Sequence, residues 1–224
     1  MSVDPTCVLD FPMFPGVNTA GVIRNQSGYG NHAQPVNFAG DDSEFVHGKL
    51  GQAVDLDGVS KYLNCGHDDS LDIIHQITIE IVFYLDTAVG NRQLITKYNP
   101  PPGGGNDSFF LRSNAGTLEF YLRNAADTLW NNAAGPVAIS ARNWHIVHAV
   151  YDMHNMLAYL DGTPGAAVAK TDNILSSPTT DVIIGSITGS GDWVDGKINR
   201  ARMWKRAIGA AEAQRRFKYP WRDA

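Results

Sequence analysis

Two glutamates stand on alternating apolar runs and could serve as a catalytic carboxylate pair: Glu80 within 77–85 and Glu119 within 117–123. A retaining glycosidase needs its two carboxyl groups about 5–5.5 Å apart, which on one strand means positions i, i+2 or i+4 of one face. Glu80 is followed by Ile81, Val82, Phe83 and Tyr84, and Glu119 is alone on its run, so hydrolysis would require the two to meet across strands. His145 and His148 are three apart in an extended run and point to opposite faces, which rules out chelation by that pair. No Ser-His-Asp or Cys-His grouping follows from the spacing. These residues favour binding over catalysis.

Sugar binding needs aromatic faces beside hydrogen-bonding groups. Outward positions offer such a mixture in Glu80, Tyr84, Glu119, Tyr121, Arg123, His148 and Tyr159. Two loop tryptophans add stacking surfaces: Trp130 in Asp127-Thr-Leu-Trp-Asn-Asn132 and Trp193 in Thr188-Gly-Ser-Gly-Asp-Trp193. Each has a second reading as a lid over the core. The same outward face carries Val82, Ile146, Val150 and Leu157, more apolar than a solvated sheet face tolerates. A cover is therefore expected there, either a loop such as 98–106 or another protein chain, and a homo-oligomer would supply one.

The elements that must hold these groups are strands. Ile77, Ile79, Ile81, Phe83 and Leu85 make one face of a long strand, with Thr78, Glu80, Val82 and Tyr84 opposite. The stretch 143–162 reads as a hairpin. His145, Val147, Ala149 and Tyr151 share one side and Ile146, His148 and Val150 the other; Asp152-Met-His-Asn155 turns the chain, and Asp161-Gly162 supplies positive φ at the next turn. Further short strands are expected at 7–11, 33–38, 52–56, 61–64, 93–98, 109–112, 117–123, 166–170, 181–187 and 194–204, a single helical turn at 68–72, and one helix at 209–217. About a dozen strands with turns between them predict an all-β, antiparallel two-sheet sandwich or barrel, in one domain across 1–224.

Eighteen basic against twenty-three acidic residues give a net charge of −5, with no basic run, which argues against nucleic acid as a partner. No apolar run approaches the roughly 18–20 residues of a membrane span, so no membrane insertion is expected, and the first residues lack the layout of a signal peptide. Cys7 and Cys65 either pair or stay as half-buried thiols.

Seven segments in order carry a resemblance. They are Asn25-Gln-Ser-Gly-Tyr-Gly-Asn-His-Ala33, Gln52-Ala-Val-Asp-Leu-Asp-Gly58, Ser70-Leu-Asp72, Ile77-Thr-Ile-Glu80, 144–152, Ala158-Tyr-Leu-Asp-Gly162 and Val194-Asp-Gly-Lys-Ile-Asn-Arg-Ala-Arg-Met-Trp204. Together, over about 8–217, they resemble the laminin-G-like, concanavalin A-like jelly rolls. The resemblance implies a two-sheet jelly roll that binds, often carbohydrate and often with a structural calcium. The closely spaced acidic strand motif of the related β-glucanases does not follow Glu80.

In the family, carboxylates at the first loop and before the last strand look like the calcium ligands. Here Asn25 and Asn199 stand there, with backbone oxygens of Gly28 and Tyr29 nearby and Arg200 as a neighbour, so calcium would be a weak cofactor at most. The other reading is that Asn25, Arg200, Asn31 and His32 hold the loop by hydrogen bonds. The tail Tyr219-Pro-Trp221 resembles that of laminin-G-like proteins encoded by bacteriophages. The resulting expectation is a non-enzymatic virion-surface protein, a capsid decoration or tail component, partnered by virion structural proteins or a host-surface glycan. The alternative is an extracellular lectin or a module of a secreted glycan-active protein.

Overall fold

A computed structural model describes residues 4–13, 18–19, 21–98, 107–124, 131–187 and 191–221. Trp130 and most of the loop after Tyr98 lie outside these residues. In chain order the strands are β1 (Cys7–Phe11), β2 (Asn18–Thr19), β3 (Val22–Ile23), β4 (Gln34–Val36), β5 (Phe45–Gly48), β6 (Gly51–Asp57), β7 (Tyr62–Asn64), β8 (Ile77–Leu85) and β9 (Asn91–Lys97). They continue as β10 (Phe109–Asn114), β11 (Thr117–Leu122), β12 (Asn131–Ala138), β13 (Trp144–Tyr151), β14 (Asn155–Leu160), β15 (Thr163–Pro164), β16 (Val168–Ala169), β17 (Ile183–Ile184) and β18 (Asp195–Trp204). One helix, α1 (Ala210–Lys218), follows, and a single 3₁₀ turn spans Asp69–Leu71.

Among the described residues these strands make two large antiparallel sheets. The nine-stranded sheet runs β15-β14-β13-β8-β18-β6-β5, with β1 pairing β18 and β16 pairing β14; the seven-stranded sheet runs β12-β11-β10-β9-β17-β7-β4. The alternation of β8 is used as its sequence requires, with Ile77, Ile79, Ile81, Phe83 and Leu85 all in the core. Facing them from the other sheet are Ile95, Phe109, Leu111, Leu118, Phe120 and Leu122. Leu118 and Phe120 point inward, so Glu119 and Tyr121 point outward. Asp161 (φ 51°) and Gly162 (φ 77°) form the predicted positive-φ turn of β14 into β15. Cys7 and Cys65 are both free and buried, and desolvation pushes both thiols up.

β2, β3, β5, β12 and β15 are not legible in the sequence. β12 contains Gly135 and Pro136 and no apolar alternation; it is held by pairing with β11. Gly135 is needed there because a side chain at that position would press on Leu118. β5 is held against β6, with Val46 opposite Ala53. The larger correction concerns the outward face of the nine-stranded sheet, for which the expected cover was the 98–106 loop or another protein chain. It is covered by the chain itself: Val150 and Tyr159 pack against Ile208 and Ala213, with Leu157 and Ala207 at the margin.

Candidate functional site

Beneath that cover the polar residues of the face are locked together. Register places His148 and Arg202 on either side of Glu80. His148 Nε2 lies 2.9 Å from Glu80 Oε2, and Arg202 Nε donates to Oε1 at 2.7 Å. Glu80, His148 and Arg202 are all at most 2% exposed. Burial alone would raise the Glu80 carboxyl, but the Arg202 charge and the His148 contact outweigh it and hold the group below the usual carboxylate range. Trp204 is flanked by two guanidinium groups, Arg216 from α1 at 4.5 Å and Arg202 at 5.2 Å. Glu80, His148 and Tyr159 therefore meet no external ligand, and Val82, Ile146 and Val150 are buried within the chain, not presented to a partner. The signals that would have shown this are Arg202 on the strand and Arg216 on the helix.

Tyr84 escapes the cover; its ring lies 5.6 Å from Trp144, and the Lys197 ammonium sits 4.9 Å above it. Glu119 is on the other sheet, bound to Arg112 at 2.8 Å, so Glu80 and Glu119 occupy opposite outer faces and do not meet.

A Ser-His-Asp grouping, which spacing did not suggest, does form. His145 Nδ1 lies 2.7 Å from Asp161 Oδ2, and Nε2 lies 3.1 Å from Ser140 Oγ. Nε2 is also 3.0 Å from the Ser140 carbonyl oxygen, which accepts only if the ring carries a proton there. Burial works against that charge, but Asp161 and the carbonyl outweigh it and raise the His145 pKa. A ring that donates from both nitrogens is a clamp between two loops and does not activate a serine.

The residues of the first loop do not fit a calcium ion. Asn25 Oδ1 accepts from the backbone N–H of Asp10 (2.8 Å) and Ser27 (3.0 Å), while Nδ2 donates to the carbonyls of Val8 (2.9 Å) and Tyr29 (3.2 Å). Two hydrogens thus point at the oxygen that a cation would need. Asn199 Oδ1 accepts from Leu50 N at 2.8 Å, and Arg200 places its guanidinium 3.0 Å from Asp10. Gly28 supplies a positive φ of 91° in the same turn. Hydrogen bonding closes this loop.

The outer face of the seven-stranded sheet is different. Tyr121 stacks on Phe110 at 4.4 Å, and Tyr98 meets Phe110 edge-on at 6.0 Å. Arg123 pairs with Asp107 at 3.1 Å. Beyond Tyr98 an open cleft of about 360 Å³ is lined by Tyr62, Asn64, His67, Tyr98, Thr179, Thr180, Asp181 and Ile183. Trp193 stands behind Tyr62, with ring centres 5.8 Å apart. Strand pairing builds the floor: Ile183 lies between Asn64 of β7 and Thr96 of β9. Asp181 is fixed from two sides, by Asn64 Nδ2 at 2.8 Å and His67 Nδ1 at 2.6 Å. Asn64 Oδ1 in turn accepts from Gly66 N at 2.8 Å. Of the expected ligand-binding residues, Glu119, Tyr121 and Arg123 share this sheet face and Trp193 borders the cleft. Asn64, His67 and Asp181 were not foreseen, because His67 and Asp181 are far apart in the chain.

Two antiparallel sheets around one apolar core, with a polar aromatic cleft on an outer face, define a lectin-like β-sandwich. Residues 57–214 match the Laminin_G_3 family of the concanavalin A-like lectin/glucanases superfamily, and the chain belongs to that family. Its fold is similar to domain 4 of AbnA, a GH43 extracellular arabinanase from Geobacillus stearothermophilus solved with arabinotriose, with a TM-score of 0.69 at 12% identity over 94% of this chain and 97% of that one. It is also similar to the botulinum neurotoxin serotype G binding domain, with a TM-score of 0.70 at 12% identity over 96% of this chain. A third similar structure is the binding domain of botulinum neurotoxin DC in complex with rat synaptotagmin II, with a TM-score of 0.64 at 10% identity over 97% of this chain. The chain spans about half the length of these neurotoxin domains, 51% and 52%. No curated protein matches it in sequence.

Proposed function

We propose that the chain is a non-catalytic glycan-binding module that receives saccharide in the cleft between Tyr62 and Tyr98. The observation that carries this reading is the cleft itself, with two tyrosine walls, an apolar floor at Ile183 and the hydrogen-bonding set Asn64, His67 and Asp181. Its volume lies at the low end of small-ligand sites, about 300–1,000 Å³. Family membership supports the reading, as does the arabinotriose bound to the similar arabinanase domain. Against catalysis stand Glu80, sealed beneath α1, and Glu119, paired with Arg112 on the opposite face. A glycan array probed with the purified protein tests the proposal; a defined family of bound sugars is expected, and silence across the array overturns it.

The narrower setting proposed is the surface of a virus particle, supported by the Tyr219-Pro-Trp221 tail that follows α1. Mass spectrometry of purified particles tests it. Particles without the chain would remove that setting and leave a free extracellular lectin.

A further inference from the structure

We infer that the cleft selects neutral sugars through a pair of adjacent hydroxyls donated to Asp181, and that it discriminates against sugars bearing a carboxylate or sulfate. This inference rests on the proposal that the cleft binds glycan. An ionised carboxylate has about four acceptor positions and no donor. One Asp181 oxygen is engaged by His67 Nδ1 and the other by Asn64 Nδ2, which leaves acceptor capacity on both. The side chain is 36% exposed at the cleft wall, so those positions are open to ligand. Two oxygens held in one orientation match the two O–H donors of a vicinal diol, and a tyrosine wall suits the apolar face of the same ring.

The charge around the cleft sets the second half of the inference. Among the described residues that line it there is neither lysine nor arginine. Lys97 feels the charge of Asp181 from behind, but it is fully buried with its ammonium 4.0 Å from Asp72. A sugar carboxylate placed where the diol sits would meet the Asp181 carboxylate, with Lys97 buried on its far side, and like charges within about 4–6 Å disfavour one another. The net charge of −5 acts in the same direction at long range.

The experiment is titration calorimetry with matched methyl glycosides and short oligosaccharides of the gluco, galacto and manno series, each against its uronic acid counterpart. The wild type is compared with Asp181→Asn and Tyr62→Ala, and a thermal melt confirms that each variant folds. In the preferred series the neutral sugar is expected to bind at least tenfold more tightly than its uronate. Asp181→Asn is expected to weaken the neutral sugar at least fivefold and to narrow that ratio. Equal or tighter binding of the uronate overturns the inference, as does an unchanged neutral affinity in Asp181→Asn while Tyr62→Ala abolishes binding. The latter result would leave the cleft as the site, whereas absence of binding to every sugar would remove the underlying reading itself.

Discussion

His148 Nε2 sits 2.9 Å from Glu80 Oε2, and neither side chain reaches solvent. With Arg202 on the other carboxylate oxygen, the three form a buried polar row across the nine-stranded sheet. A buried charge costs heavily when its partner is removed, about 3–5 kcal/mol. Glu80→Ala, which removes the carboxylate between Arg202 and His148, is expected to destabilise the fold by that amount in urea denaturation. A loss under about 1 kcal/mol would mean that solvent enters beneath the helix.

The same geometry changes what the apolar face does. Val150 is 5% exposed and packs on Ile208 and Ala213. Val150→Asp is expected to lower stability by several kcal/mol, since it buries an unpaired carboxylate. Leu157→Asp, at the margin of the cluster, is expected to cost less. Light scattering should find the mass of folded Leu157→Asp equal to wild type, whereas a shift to smaller species would show that a partner chain docks there.

Much of this architecture is written in local pattern, and the part that is not has an identifiable cause. β8, β13 and β14 are legible because alternation states which side chains share a face, and their core faces are those the pattern assigns. The pattern is silent on what packs against the second face. For Val150 the answer lies in Ile208 and α1, far along the chain; Val82, Ile146 and Val150 read as a docking surface when they are interior. The cleft is hidden for a related reason. Its parts come from β7 and the residues after it, the residue after β9, and β17 with the residues before it, and strand pairing across the sheet assembles them. Tyr121 and Trp193 were visible as outward or loop aromatics; Asp181 gave no sign of its contact with His67.

His145 gives the fold a pH dependence whose sign follows from its contacts. Its pKa is raised in the folded state, so its stabilising contribution is complete below the unfolded value of about 6.5 and is lost as pH rises through the folded value. The difference in melting temperature between wild type and His145→Gln is therefore expected to shrink from pH 6 to pH 9. A difference that grows over that range would mean the clamp works with a neutral ring.

The Asn25 side chain makes four hydrogen bonds, two that tie the first loop to β1 and two within the loop. At about 1 kcal/mol each, less what water recovers, Asn25→Ala is expected to cost about 2–4 kcal/mol. Millimolar calcium and a chelator should give the same wild-type melting curve. A rise of several degrees with calcium would show that these side chains turn to hold the ion.

Saccharide entry into the cleft on the seven-stranded sheet can be mapped by chemical-shift perturbation on this 24.4 kDa chain with the sugar found by array. Perturbations are expected to centre on Tyr62, Asn64, His67, Tyr98 and Ile183, with Trp193 at their edge. Perturbations centred instead on Tyr84 and Trp144, with the cleft unmoved, would contradict entry there.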